Sequence, residues 1–262
     1  MQPDSIDTKQ NPTSLVERLF SAGAHYGFSK SRRHPTAAPF LFGNKQGTDI
    51  FDLEKTSTLL SDAADFMRSV GASGKRALFV GTKEEVQQLV RTRAEELEMP
   101  YVTNRWIGGV LTNFTEAQKR IARLVSLRTQ RESGELDRKY TKKERVMLAR
   151  EADKLDHNFG GVVSMDRLPG VLVVVDPRHE AIAVREARHL SIPVVAIMSS
   201  DCNADMVDKP VFANDAHTAS VALVLDELAA AYKEGAAAYV PEAKPERTFA
   251  SRRSPQTPRR ER

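Results

Sequence analysis

The sequence predicts an α/β fold: a doubly wound parallel sheet in three αβα layers, with an inserted antiparallel helical hairpin of coiled-coil character. Three observations predict it. Strand, turn, helix and strand follow one another in RALFVGTKEEVQQLVRTRAEELEMPYV and again in GVLVVVDPRHEAIAVREARHLSIPVVAIMSS. The strands Leu78–Val80, Val171–Val175 and Val194–Met198 lack polar alternation, as strands covered on both faces do. Between the two units lie two long charged stretches with helical spacing. Alternating strands and helices imply a parallel sheet with right-handed crossovers.

In chain order, 1–13 reads as a tail with neither the apolar block of a signal peptide nor the arginines of an organellar presequence. A helix fits SLVERLFSAGAHYG, where Ser14 and Glu17 have capping-box spacing. SKSRRHPTAAPFLF is irregular because of Pro35 and Pro39. FLFGNKQGTDIFDL gives two short apolar runs around a glycine turn, and a helix runs from about Glu54 to Val70. Thr82 and Glu85 read as a second capping box. Asp176 reads as a cap with Pro177 in the first turn, where a missing N–H costs nothing. Helices from Phe114 to about Arg131 and from Lys142 to about Phe159 form the hairpin. Ile121, Leu124 and Val125 supply one apolar face; Leu148, Ala152, Leu155 and Phe159 supply the other. ESGELDRKYT joins them. The α/β domain thus comprises 14–113 and 160–237, the hairpin 114–159. The last stretch, 238–262, is a basic Pro/Arg-rich tail too poor in apolar residues to order itself.

Composition narrows the function. The net charge of +4 is mild but segregated. Residues 118–157 hold 12 Lys/Arg against 7 Asp/Glu, 241–262 hold 7 against 3, and KSRRH is a third basic knot. Segregated cations suit a protein that meets phosphate with particular surfaces. One cysteine, Cys202, rules out a disulfide framework and a cysteine-based zinc site. No apolar run approaches the roughly 20 residues that span a bilayer, so a cytoplasmic protein with no membrane partner is expected.

An open sheet of this flavodoxin- or Rossmann-like kind invites a search for a nucleotide. Neither VGTKEEV nor VDPRHEA carries the spaced glycines, and GASGKR precedes a strand and puts Arg76 where a magnesium-binding hydroxyl belongs. The histidines, at 25, 34, 157, 179, 189 and 217, form no metal pair at helical spacing. Asp201, Asp205, Asp208 and Asp215 match no calcium loop and read as a solvated loop. Cys202 has no neighbouring base in the sequence. No catalytic constellation is found.

The stretch NRWIGGVLTNF holds the chain's one tryptophan and two adjacent glycines. Asn104, Arg105, Thr112 and Asn113 offer donors for phosphate and ribose. Trp106 reads as a core anchor at the hairpin root in preference to a base-stacking platform. Lys30, Arg32, Arg33 and His34 read as a phosphate-following segment. Lys119, Arg120 and Arg123 on one arm, with Lys142, Lys143 and Arg145 on the other, read as RNA-contacting or as a wet helix face. Cations in such segments bind phosphate by releasing its counterions.

SAGAHYGFSKSRRHP, FLFGNKQGTDIFDLEKT, LFVGTK, NRWIGGVLTNF, YTKKE, LPGVLVVVDPRHEAIAVREARHLSIPVVAI and FANDAHTASV occur in this order. With them the chain resembles, over about 14–235, the family of the second protein of the bacterial small ribosomal subunit. The resemblance implies a non-catalytic structural protein that binds small-subunit ribosomal RNA and neighbouring proteins, including the large messenger-binding protein, and is not a homo-oligomer. It implies no cofactor, with magnesium or zinc entering only through the ribosomal context. The chain departs from the family in reading His25-Tyr26-Gly27-Phe28 for H-F-G-H and Val211-Phe212-Ala213-Asn214-Asp215 for I-P-G-N-D. The competing reading is a free-standing α/β module for a nucleotide or small acid.

Overall fold

The computed structural model describes residues 14–239; the tail reading of 1–13, and that of 238–262 beyond its first two residues, fall outside them. Helix α1 (Leu15–Ser21) begins on the expected capping box, with Ser14 and Glu17 bonded reciprocally. Strands β1 (Tyr26–Ser29), β2 (Leu41–Lys45) and β3 (Thr48–Phe51) form a small antiparallel sheet in the order β1-β3-β2. The predicted glycine turn joins β2 to β3, whereas β1 is additional to the expected elements, because YGFS is too short for alternation to show. The segment between β1 and β2 is two 3-10 turns, Lys30–Arg32 and Pro35–Phe40. Helix α2 (Leu53–Ala72) starts at Asp52, whose carboxylate accepts from the Glu54 and Lys55 amides.

The main sheet is five-stranded and parallel: β4 (Ala77–Val80), β5 (Tyr101–Val102), β6 (Val171–Val175), β7 (Val194–Met198) and β8 (Lys209–Phe212), in the order β5-β4-β6-β7-β8. Alternate residues of its strands enter two cores. Ala77, Phe79, Val173, Val175, Val195 and Ile197 pack with α2, α3 (Glu84–Glu96) and α8 (Thr218–Ala237). Leu78, Val80, Leu172, Val174 and Val194 pack with α7 (Ala181–His189), with Trp106, Val110 and Leu111, and with the inner ends of α4 (Phe114–Glu132) and α6 (Lys142–Phe159). Three layers follow directly. A third core, around Phe51, Met198, Cys202 and Phe212, fastens the small sheet to the ends of β7 and β8. Helices α2 and α8 approach closely enough that a Cβ on Gly235 would overlap the Arg68 carbonyl oxygen.

Two caps differ from expectation. Helix α3 starts at Glu84 without a side-chain cap, because the Thr82 hydroxyl instead donates to Glu180. Asp176 caps a turn and not the helix: its Oδ1 accepts from the Arg178 and His179 amides at 3.0 and 3.1 Å, and α7 begins only at Ala181. Strand β8 is likewise additional to the expected strands, because Pro210 interrupts its apolar run.

Between β5 and β6, α4 buries Ala117, Ile121, Leu124 and Leu127. Val125, expected on that face, is 42% exposed, since the stripe advances by three and four residues and passes it by. Of α6 only Phe159 is fully buried. Arg123 binds Glu151 through two bonds of 3.0 Å, and Arg128 pairs with Asp156. The connecting stretch contains a short helix, α5 (Glu135–Lys139). No helix of the described residues is long and apolar enough to cross a membrane.

Candidate functional site

The loop from Asn104 to Phe114 is wrapped around one carboxylate. Glu186, on the inner face of α7, accepts through Oε1 from the Trp106 indole at 3.0 Å and the Gly109 amide at 2.8 Å. Its Oε2 accepts from the Leu111 and Thr112 amides and the Thr112 hydroxyl, each at 3.1 Å. Gly109 has φ +92°, a conformation closed to most side chains, which lets successive amides converge on the carboxylate. Burial pushes the Glu186 carboxyl up, but bonds from Trp106, Gly109, Thr112 and Leu111 together hold it below the ordinary glutamate value. Trp106 is 6% exposed and is the core anchor. Thr112 serves Glu186, and the cap position of α4 falls to Asn113, which makes no side-chain cap bond. Asn104 donates to the His157 carbonyl at 2.8 Å and ties the loop to α6. Arg105 and Asn113 are exposed.

Open parallel sheets bind ligands beyond the C-terminal ends of their strands. Here that edge holds Lys83, whose ammonium pairs with Asp176 at 2.5 Å and Asp215 at 3.1 Å. Asp215 is 1% exposed, so it is no part of a solvated loop; burial pushes its carboxyl up to about 6, with Lys83 opposing. Burial also lowers the ammonium's tendency to stay charged, but the two aspartates outweigh it and the Lys83 pKa is raised. The Cys202 thiol is pushed strongly up by burial and by Asp176, Asp201 and Asp215, which keeps it protonated and inert. Asp176, Cys202 and Asp215 bring ligand-type atoms within 4.8 Å of one another, and the Lys83 ammonium supplies the cation the two carboxylates need. Glu180, raised by burial against its Thr82 bonds, closes the next turn. The N-terminal segment covers this edge: Phe28 N–H donates to Ser200 Oγ at 3.0 Å and His34 N–H to the Ser200 carbonyl at 2.8 Å.

The predicted basic residues fall into two groups. Lys30, Arg32, Arg105, Arg120, Lys142 and Lys143 are exposed and make no ion pair among the described residues. Arg32 lies 5.3 Å from the Phe28 ring centroid. Arg33, in contrast, grips the buried Asp49 through both Nε, at 2.8 Å, and Nη2. Its bond holds the Asp49 carboxyl low against the opposing effect of burial. His34 caps the second 3-10 turn through Thr36. Lys119 pairs with Glu116, Arg123 with Glu151 and Arg145 with Asp137.

Residue-type reasoning missed Glu186, Lys83 and Glu180, and gave Asp176 a capping role without its bond to Lys83. A signal for Glu186 exists in the sequence: it lies three residues after Ala183 and beside Ala187 on the apolar face of α7, where a carboxylate must find donors.

The sequence matches the family model described as ribosomal protein S2 over residues 19–235. It is 42% identical over 223 residues to small ribosomal subunit protein uS2 of Amoebophilus asiaticus, covering 85% of this chain and 71% of that one. The uS2 of Solidesulfovibrio magneticus is 41% identical over 226 residues, covering 86% and 87%. The uS2c of Rhodomonas salina is 41% identical over 220 residues, covering 84% and 90%.

Proposed function

Because the chain belongs to the ribosomal protein S2 family, we propose that it is a structural constituent of the small ribosomal subunit, where it binds ribosomal RNA and neighbouring proteins. The family match carries this reading. The free cations Lys30, Arg32, Arg105, Arg120, Lys142 and Lys143 form its RNA-facing set, since only a cation not already neutralised inside the protein releases phosphate counterions on binding. Arg33, Trp106 and Thr112 act one step back: they hold shape by serving Asp49 and Glu186.

In this reading α4 and α6 are the inserted antiparallel hairpin, an arm of roughly 25 Å at ~1.5 Å rise per residue. Tyr140, Val146 and Met147, 38%, 47% and 62% exposed near its far end, suit a protein neighbour; the large messenger-binding protein of the subunit is included among the partners. The role needs no cofactor. Co-sedimentation tests it. The full chain is expected to travel with small subunits at low salt, and its absence from those fractions would overturn the proposal. Tight binding of a free nucleotide in equilibrium dialysis would support the α/β ligand-binding module instead.

A further inference from the structure

A groove of about 450 Å³ runs between the KSRRH segment and α7. Its volume lies within the roughly 300–1,000 Å³ of small-ligand clefts. The floor is apolar: Pro177, Ala181, Val184 and Met206. The rim is cationic, with Arg32 on one side and Arg178 and Arg185 on α7 and its leading turn. Arg178 is tied to Asp201 at 2.7 Å, but Arg32 and Arg185 have no carboxylate partner among the described residues. Arg185 is held in place by its Nε, which donates to the Ala181 carbonyl at 3.1 Å and leaves its terminal nitrogens available.

An apolar floor under free guanidinium groups matches a flat base with an attached phosphate. Two features favour a nucleotide within a strand over a free one. The turn leading into α7, where a lone phosphate would seek backbone amides, is already occupied by Asp176 Oδ1. Lys30 and the exposed Arg32 continue the cationic line out of the groove along an irregular segment, which a continuing backbone uses and a mononucleotide does not. Resting on the functional reading above, we propose that this groove receives one unpaired nucleotide of RNA. Its base lies on Pro177, Ala181 and Val184, and its phosphates meet Arg32 and Arg185.

The test uses the full chain and a fluorescein-labelled 12-nucleotide uridine oligomer at low salt, read by anisotropy, with 4-thiouridine cross-linking as a second measurement. Ala181→Trp fills the floor without changing charge and is expected to weaken binding about tenfold, the loss of apolar contact equal to roughly two buried CH2 groups. Arg185→Ala, at an exposed position, is expected to weaken binding and to lower the slope of log affinity against log salt by about one. Lys233→Ala, at an exposed position of α8 on the other face of the sheet, lies outside the groove and should leave affinity and the cross-link as they are. The cross-link is expected on the stretch from Pro177 to Arg185. Equal affinity of wild type, A181W and R185A, or a cross-link elsewhere, overturns the groove. So does adenosine or uridine monophosphate binding as tightly as the oligomer, which makes the ligand a free nucleotide. A wild type that ignores the oligomer yet enters small subunits refutes only the groove, whereas exclusion from subunits refutes the functional reading itself.

Discussion

Glu186→Gln removes one oxygen from a carboxylate on which five donors converge. The amide side chain keeps a single acceptor, and its NH2 group must face one of two donor pairs. In one orientation it meets the Leu111 and Thr112 amides; in the other, the Trp106 indole and the Gly109 amide. The Thr112 hydroxyl can turn to accept, but the N–H groups cannot. One buried and one partly buried donor are therefore stranded in either orientation; the buried one alone costs about 1–3 kcal/mol, so the variant is expected to lose at least about 1–3 kcal/mol of unfolding free energy. Urea unfolding at pH 7, followed by tryptophan fluorescence and far-ultraviolet circular dichroism, measures this directly. Acid provides the second reading. The folded Glu186 carboxyl sits below its ordinary 4.5, so its contribution is fully present above that value and is lost as pH falls through the depressed folded value. The gap between wild type and variant should narrow in that window. A variant within about 0.5 kcal/mol of wild type at pH 7, which is the range of an ordinary surface change, would refute the donor-nest account of the loop.

Lys83→Met leaves Asp176 and Asp215 buried without their cation and should cost about 3–5 kcal/mol. Because burial already raises Asp215 to about 6 from an ordinary 3.8, protonation relieves that charge, and the loss measured by urea unfolding should be smaller at pH 5 than at pH 8. Arg33→Glu sets two carboxylates together at the buried Asp49 and should lower the melting temperature sharply, whereas Arg32→Glu should melt like wild type while weakening entry into small subunits; matching behaviour of the two would remove the distinction. Gly235→Ala forces α8 away from the Arg68 carbonyl and should cost about 1–3 kcal/mol, as overpacking does, visible as a lowered thermal midpoint with the helical signal retained.

The sheet was legible because its strands are short, apolar on both faces and followed by helices with strong periodicity. Leu172 and Val173 enter opposite cores, and only a strand covered twice tolerates that run. The capping box at Ser14 was legible for the same local reason: both of its bonds lie within four residues. Long-range polar bonds were not. Thr82 has the spacing of a cap, yet its hydroxyl reaches Glu180, 98 residues away, and no local pattern encodes that competition. Arg32 and Arg33 are identical in type and adjacent in sequence, and only the position of Asp49 on β3 separates a surface cation from a structural one. Likewise residue type offers Asn104, Arg105, Thr112 and Asn113 as outward donors, while three of the five bonds to Glu186 come from backbone amides, whose direction a residue name does not reveal.

The direction of the charges ties the fold to the role. In an open parallel sheet, a lysine after the first core strand stands where phosphate would be held, and Lys83 occupies that place. Two buried aspartates neutralise it, while Phe28, 6.0 Å from its ammonium, and the bonds from β1 to Ser200 cover it from outside. The strand ends thus spend their polar groups on internal closure: Glu180 on Thr82, Asp176 on Lys83 and Ser200 on β1. Cations left free among the described residues lie elsewhere, on the irregular segment after β1, on the Asn104–Phe114 loop and on α4 and α6. The outward charge therefore sits on exposed segments away from the strand ends, while the polar groups of the customary crevice bond to one another. That division explains why substitutions at Lys83 or Glu186 should be read in unfolding curves, and those at Arg32 or Lys142 in binding.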